Sequence, residues 1–432
     1  MLLLLASMLM SPAHAVDIPH ETFTLENGMQ VMLIEDRRLP KVVVNIWYDV
    51  GSYDDPTGKS GFAHLFEHLM FKGSDRVAEG EFDSSMEAAG GWNNAWTDDF
   101  ATSYYDVGPS SSLDLLLWLE ADRMTSLQIT DKKLGVEREV VRNEKRQNYE
   151  DPPYADMWIE LPPALYGADN PLRRPGIGNH EELMASTVDD VTTFYNTWYV
   201  PSNAVLTVAG DFDTAELKGK ITALFGTLES KPRPARELVA MPTQPVQSLV
   251  EITDDVTLPR TLLVWHGPAA FKAGDAERDV LSALLTGSED SRLIKRLVHE
   301  ERLCQSVEAW QGSHRWESQF MIDAMLAPGA DLARVETIID EELTALSGER
   351  PPTEVEVQRA LANLEFGLLQ GLETLESRAA ALQRYRMFTG RSDYLSEDLA
   401  RYRKVDVAAV QVEAAKLTAD SRVRIQVTPE AE

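Results

Sequence analysis

Residues 61–74 read GFAHLFEHLMFKGS and contain His64, Glu67 and His68 as an H-x-x-E-H run. On a helix, residues four apart share a face and lie about one turn from each other, so the two imidazoles project side by side. That spacing suits two ligands of one tetrahedral zinc, and Glu67 stands beside them as a candidate base for a water activated by the metal. A pentapeptide alone is weak evidence, because two histidines at helical spacing also decorate ordinary surface faces. The rest of the chain has to supply a third ligand and a scaffold.

Upstream of this run lie strand-like segments at Thr22–Leu25, Gln30–Ile34 and Val42–Val50, the last rich in β-branched and aromatic residues. Downstream, Gly90-Gly91 introduces an extended stretch, Trp92–Val107, followed by helical patterns at Ser111–Leu127 and Asp131–Tyr149. A proline-containing loop, Asp151–Gly178, leads to a helix at Val188–Trp198, a strand at Asn203–Gly210 and a helix at Thr214–Leu224. Residues 229–247 hold four prolines and little periodicity, and read as a linker. Beyond them the order of elements repeats. Thr261–Trp265 answers Val42–Trp47, and the helix Asp290–Glu301 is expected where the H-x-x-E-H helix stood, without a ligand pair. Ala309-Trp310 heads a strand-like run, helices follow at Asp331–Leu346 and Glu354–Glu373, and Arg422–Val427 is a closing strand. The expectation is an α+β fold of two related halves, each a mostly antiparallel sheet with helices packed on one face in ferredoxin-type layers. The divisions are 16–228 for the metal-binding half, 229–247 for the linker and 248–432 for a metal-free half.

The 432 residues, 44% hydrophobic and 26% charged, are an ordinary globular composition, and the length suits roughly two to four domains. A formal charge of −29 repels phosphate backbones and anionic lipid, which speaks against a nucleic-acid partner. The single cysteine, Cys304, excludes an internal disulfide and a cysteine-rich metal site, and reads as a small buried filler. Residues 2–10 form a short apolar run followed by Ala13-His14-Ala15, so residues 1–15 read as a signal peptide lacking a basic start, with a periplasmic or secreted product. No later run reaches the roughly 20 apolar residues of a membrane span.

A catalytic zinc normally takes three protein ligands. Glu137 and Glu144 lie seven residues apart, so one helical face displays both; either carboxylate suits the third position, and the other suits a supporting role. With these residues in view, the chain resembles the pitrilysin/insulinase metallopeptidases, a group that includes the mitochondrial processing peptidases and whose H-x-x-E-H order is the inverted-zincin signature. The resemblance covers nearly the whole chain after the first 15 residues. It rests on His64-x-x-Glu67-His68 followed, after 75 residues, by Glu144, and on Gly51-Ser52, Phe71-Lys72-Gly73, Asn94-Ala95-x-Thr97, Gly176-x-Gly178, Phe194-Tyr195-x-x-Trp198-Tyr199-x-Pro201-x-Asn203 and Val208-Ala-Gly210-Asp211. It implies that His64, His68 and Glu144 bind one Zn2+ per chain. Glu67 is then the general base, and Glu137 supports catalysis without binding metal. It further implies that Asn94, Ala95, Trp96 and Thr97 form a sheet edge that takes the peptide substrate as an added strand.

Many relatives carry a second-half S-R-L…G-L-A-Y run whose Arg and Tyr grip substrate. Here Ser291-Arg292-Leu293 is present, but Cys304-Gln305 stands in place of Ala-Tyr. The resemblance therefore implies a metal-free paralogue that completes the grip as a heterodimer, with a homodimer as runner-up. His20, His180, His266, His299 and His314 lack ligand spacing, and no G-x-S-x-G, Walker A or G-x-G-x-x-G run occurs. The alternatives are a non-catalytic subunit of the same fold and a processing peptidase with one cognate substrate.

Overall fold

The computed structural model describes residues 16–430; the signal-like segment 1–15 lies outside the described residues. Among the described residues, eleven strands form two sheets. β1 (Glu21–Thr24), β2 (Gln30–Glu35), β3 (Lys41–Tyr48), β4 (Trp92–Thr97), β5 (Thr102–Pro109) and β6 (Ala204–Gly210) make the first, in the order β1-β2-β6-β3-β5-β4. β7 (Leu249–Asp254), β8 (Arg260–Gly267), β9 (Cys304–Ser313), β10 (Ser318–Leu326) and β11 (Arg422–Pro429) make the second, in the order β7-β11-β8-β10-β9. Setting β1 aside, the two orders coincide. In each sheet one pair is parallel, β2 with β6 and β7 with β11, and all others are antiparallel.

The helices are α1 (Phe62–Leu69), α2 (Glu81–Ala88), α3 (Leu113–Ser126), α4 (Asp131–Lys145), α5 (Asp156–Leu165), α6 (His180–Ala185), α7 (Val188–Trp198), α8 (Thr214–Phe225), α9 (Asp275–Thr286), α10 (Leu332–Ser347), α11 (Glu354–Gln370), α12 (Leu375–Thr389), α13 (Leu395–Tyr402) and α14 (Val407–Ala414). Among the described residues none is long and apolar enough to cross a membrane.

Helices of the same half cover one face of each sheet, as the repeat predicts. The opposite faces exchange cover. α12 lays Leu375, Ala379, Leu382 and Tyr385 on Met32, Val43, Trp47 and Val205 of the first sheet. In return, α5 buries Met157, Leu161, Ala164 and Leu165 against Leu262, Val264, Val423 and Ile425 of the second. Two-sided cover explains why β3, KVVVNIWY, is apolar almost throughout where a one-sided strand would alternate.

Two sequence expectations change. The loop read at 151–178 contains α5, whose Pro162 and Pro163 fall in the second half of the helix. In the second half, α9 stands between β8 and β9 where α1 stands between β3 and β4, while the 290–301 segment follows it in the place of α2. Residues 229–247 contain no helix or strand, yet they are pinned: Val246 and Gln247 N–H donate to the Ala164 carbonyl, and the half-buried Arg236 pairs with the buried Asp49 and Asp54 Oδ atoms.

Candidate metal centre

α1 begins at Gly61, which has φ +89° and no side chain with which to cap the helix. The buried Asp55 does that work from six residues upstream, accepting Gly61 N–H at 2.6 Å and Ala63 N–H at 2.9 Å. Gly178, at φ +86°, presses against the same point. A Cβ there would lie 2.5 Å from the Ser60 carbonyl oxygen and 2.6 Å from Gly61 Cα, which is the physical reason for glycine in Gly176-x-Gly178. Below the helix, Phe66 stacks on Tyr195 at 5.7 Å and meets Tyr199 at 4.7 Å, so the aromatic run of α7 is the floor of α1. With Phe62, Leu65, Phe66 and Leu69 buried, His64, Glu67 and His68 turn to the other face.

α4 lies across that face, started by the Thr130 hydroxyl, which accepts Lys133 N–H. His64 Nε2 lies 3.6 Å from one Glu144 oxygen and His68 Nε2 3.2 Å from the other. The ligand atoms of His64, His68 and Glu144 all fall within 4.8 Å of one another, and all three side chains are half-buried. His68 turns its Nδ1 to Glu137, at 3.5 Å, and Glu137 is paired on its other oxygen with Lys72 Nζ at 3.0 Å. Of the two acids the sequence leaves open, Glu144 therefore joins the histidines and Glu137 stands behind His68. Lys72, three residues past the end of α1 and part of the Phe71-Lys72-Gly73 motif, reaches this site only through the turn that follows the helix, which helical spacing does not foretell.

The electrostatics divide the two histidines. Burial and the neighbouring His68 push His64 down to about 4, keeping it neutral. For His68 burial works against the charge, but Glu137 and Glu144 outweigh it and raise the group to about 9. Glu144 is held below its ordinary value chiefly by His68. Glu67 is raised by burial, opposed by the Thr97 hydroxyl, which donates to Glu67 Oε2 at 2.7 Å. Two imidazoles and a carboxylate, with a second carboxylate behind one imidazole, match zinc in hardness and number, and the Glu137–His68 contact fixes a ligand in the usual outer-shell manner.

β4 is an edge strand, paired only with β5 among the described residues. Its four predicted substrate residues split by parity. Ala95 and Thr97 face α1, whereas Trp96 meets Trp47 at 4.7 Å on the opposite face, and the Asn94 side-chain oxygen accepts the N–H of Ala95. In the second half, Arg292 is tied to Glu356 and to the carbonyls of Arg350 and Pro351. Cys304 is buried, which pushes its thiol up to about 12, and Gln305 is exposed at the start of β9.

The chain's residues 30–169 match the family model described as insulinase, peptidase family M16, and residues 185–364 match the model described as the peptidase M16 inactive domain. The chain belongs to peptidase family M16. Two halves of like topology agree with a pitrilysin/insulinase-like two-domain peptidase. It is 28% identical over 375 residues to a zinc protease of Helicobacter pylori, covering 85% of this chain and 83% of that protein. A protein of Arabidopsis thaliana named for the beta subunit of the mitochondrial-processing peptidase is 25% identical over 431 residues, covering 97% of this chain and 80% of that one. The crystal structure of a protease from Helicobacter pylori superposes with a TM-score of 0.87 at 26% identity, over 95% of this chain and all of the other.

Proposed function

We propose that this chain is a zinc-dependent endopeptidase acting on peptides or unfolded segments, with His64, His68 and Glu144 holding one zinc and Glu67 serving as general base. The observation that carries the reading is the convergence of those three donor side chains within 4.8 Å beside a buried, hydrogen-bonded Glu67. Zinc, when bound, polarises a carbonyl and acidifies water at neutral pH. The protein's own groups do the rest. Glu67, its free oxygen opposite the one held by Thr97, takes the proton of the attacking water and returns one to the leaving amine. Burial raises the affinity of that carboxylate for the proton it must carry. Glu137 orients His68, and Lys72 holds Glu137 ionised. The open edge of β4 pairs with the peptide backbone, which gives affinity with little sequence preference.

The assembly belongs to the same proposal: a metal-free partner of this fold, with a homodimer as the alternative. Gln305, in place of a gripping tyrosine, supports it, as does the naming of one relative as a subunit. The division into 16–228, 229–247 and 248–432, and export directed by residues 1–15, are also proposed. Retention of His64, Glu67, His68 and Glu144 together favours catalysis over a purely structural subunit.

The test is hydrolysis of unstructured peptides by the zinc-loaded chain, alone and with a co-expressed metal-free paralogue, against Glu67→Gln. The wild type is expected to exceed the variant by about 10²–10⁴-fold at equal zinc content. Equal rates would end the enzyme reading, and full activity of the lone monomer would end the partner proposal.

A further inference from the structure

The hairpin between β9 and β10 carries His314-Arg315-Trp316-Glu317 at its tip, and this tip is inserted into the first half. Arg315 Nη1 donates to Asp49 at 2.7 Å; Asp49 is buried and also receives Arg233 and Arg236. Trp316 packs edge-on to Phe100 at 4.5 Å and against Tyr53 at 5.7 Å, with the Arg236 guanidinium 5.0 Å above its ring. Glu317, also buried, binds Tyr166 and, at 3.0 Å, His266.

Phe100 belongs to the turn that joins β4 to β5. Asp98 closes that turn by accepting Phe100 N–H at 2.7 Å and Ala101 N–H at 2.6 Å. Ser52 N–H donates to the Asp98 carbonyl at 3.1 Å and Tyr53 N–H to the Asp99 carbonyl at 2.9 Å. Gly51 lies so close that a Cβ would fall 2.3 Å from the Asp98 oxygen, which accounts for the Gly51-Ser52 motif. The residue entering the turn is Thr97, whose hydroxyl holds Glu67. Trp316, the 98–101 turn, Thr97 and Glu67 thus form a continuous series of contacts from the metal-free half to the candidate base.

We propose that Arg315 and Trp316 are positioning residues for Glu67: by clamping the 98–101 turn they set Thr97 against the carboxylate, so the metal-free half contributes to catalysis within its own chain. This rests on the peptidase reading above. A carboxylate turned away from the attacking water loses rate steeply, since misplacement by about 1 Å costs up to 10²-fold. The substrate-pairing edge upstream of Thr97 stays in place, so the effect falls on kcat more than on KM.

The experiment uses the zinc-loaded full-length chain with its partner and compares Trp316→Ala, Trp316→Phe, Arg315→Met, Thr97→Val and the double Thr97→Val/Trp316→Ala. Zinc content, kcat, KM and amide hydrogen exchange across residues 92–101 are measured for each. Trp316→Ala is expected to keep one zinc, lose about tenfold in kcat with KM nearly unmoved, and exchange faster at 98–101. Trp316→Phe should recover most of the loss, and the double variant should be no slower than Thr97→Val. Wild-type kcat in Trp316→Ala, or losses that multiply in the double variant, would overturn the proposal. If Trp316→Ala does not fold, Arg315→Met carries the same expectations. A wild type that hydrolyses nothing would instead defeat the peptidase reading; the exchange measurement then decides alone, and unchanged protection at 98–101 overturns the clamp.

Discussion

α1 and α9 occupy the same place in two sheets of the same strand order, and they treat their polar groups in opposite ways. On α9 the charges are matched: Arg278 is buried against Glu413 at 3.1 Å and donates to the His266 carbonyl, and Asp275 is met by Arg401 at 2.9 Å. His64 and His68 of α1 instead converge on Glu144 of α4, and Glu137 and Glu144 together favour the charged form of His68. The three donors are half-buried and lie within 4.8 Å of one another, and they are the set to which the proposed function assigns a zinc. The lesson is that this scaffold is indifferent to chemistry. What separates the halves is whether the helix between the second and third common strands pairs its own charges or turns two imidazoles toward a carboxylate of another helix.

The strongest way to break the contrast is to remove a donor. His68→Ala and Glu144→Ala should each bring zinc content well below one per chain by metal analysis, because they remove one of three contributors to a binding free energy on the order of 10 kcal/mol. Unchanged stoichiometry in either would move the ligand assignment. A smaller effect is expected from Glu137→Gln, which leaves the three donors and weakens only the orientation of His68. Zinc affinity should fall by about 10–100-fold in a competition titration with a chromophoric chelator.

The proton on His68 sharpens the comparison further. Its value in the zinc-free fold, about 9, lies above the ordinary histidine value, so its charge stabilises that fold fully below pH ~6.5 and the benefit disappears as pH rises through about 9. Zinc needs the neutral ring. Affinity should therefore climb by about tenfold per pH unit through neutrality and level off above about 9, with about one proton released per zinc in weakly buffered solution. Uptake without proton release would show that His68 is already neutral. The smallest effect concerns packing: Gly178→Ala forces a Cβ into the head of α1 at positive φ, and should cost about 2 kcal/mol in denaturant unfolding.

Several of these features are legible in the sequence alone. The spacing of His64, Glu67 and His68 fixed their common face, and the seven-residue step put Glu137 and Glu144 on one face of α4. Local spacing could not rank those two acids, since that depends on how α4 crosses α1. Thr97 was legible as part of a motif but not as the group that holds Glu67. The unbroken apolar run of β3 already signalled cover on both faces, yet nothing in it named α12 as the cover. α5 was hidden because Pro162 and Pro163 imitate a loop; burial of Met157, Leu161 and Leu165 on the other half's sheet outweighs the prolines' helix penalty.

The sequence by itself determined what depends on near neighbours: the shared face of His64, Glu67 and His68, the glycines whose backbone has no room for a side chain, and the repeated order of strands. Tertiary structure decided what depends on residues far apart. It set Glu144 beside the two histidines and Glu137 behind His68, exchanged α5 and α12 between the sheets, and brought Trp316 to the turn beside Thr97. Periodicity records which face of an element is buried and says nothing of what buries it, because the hydrophobic effect that drives burial is non-directional.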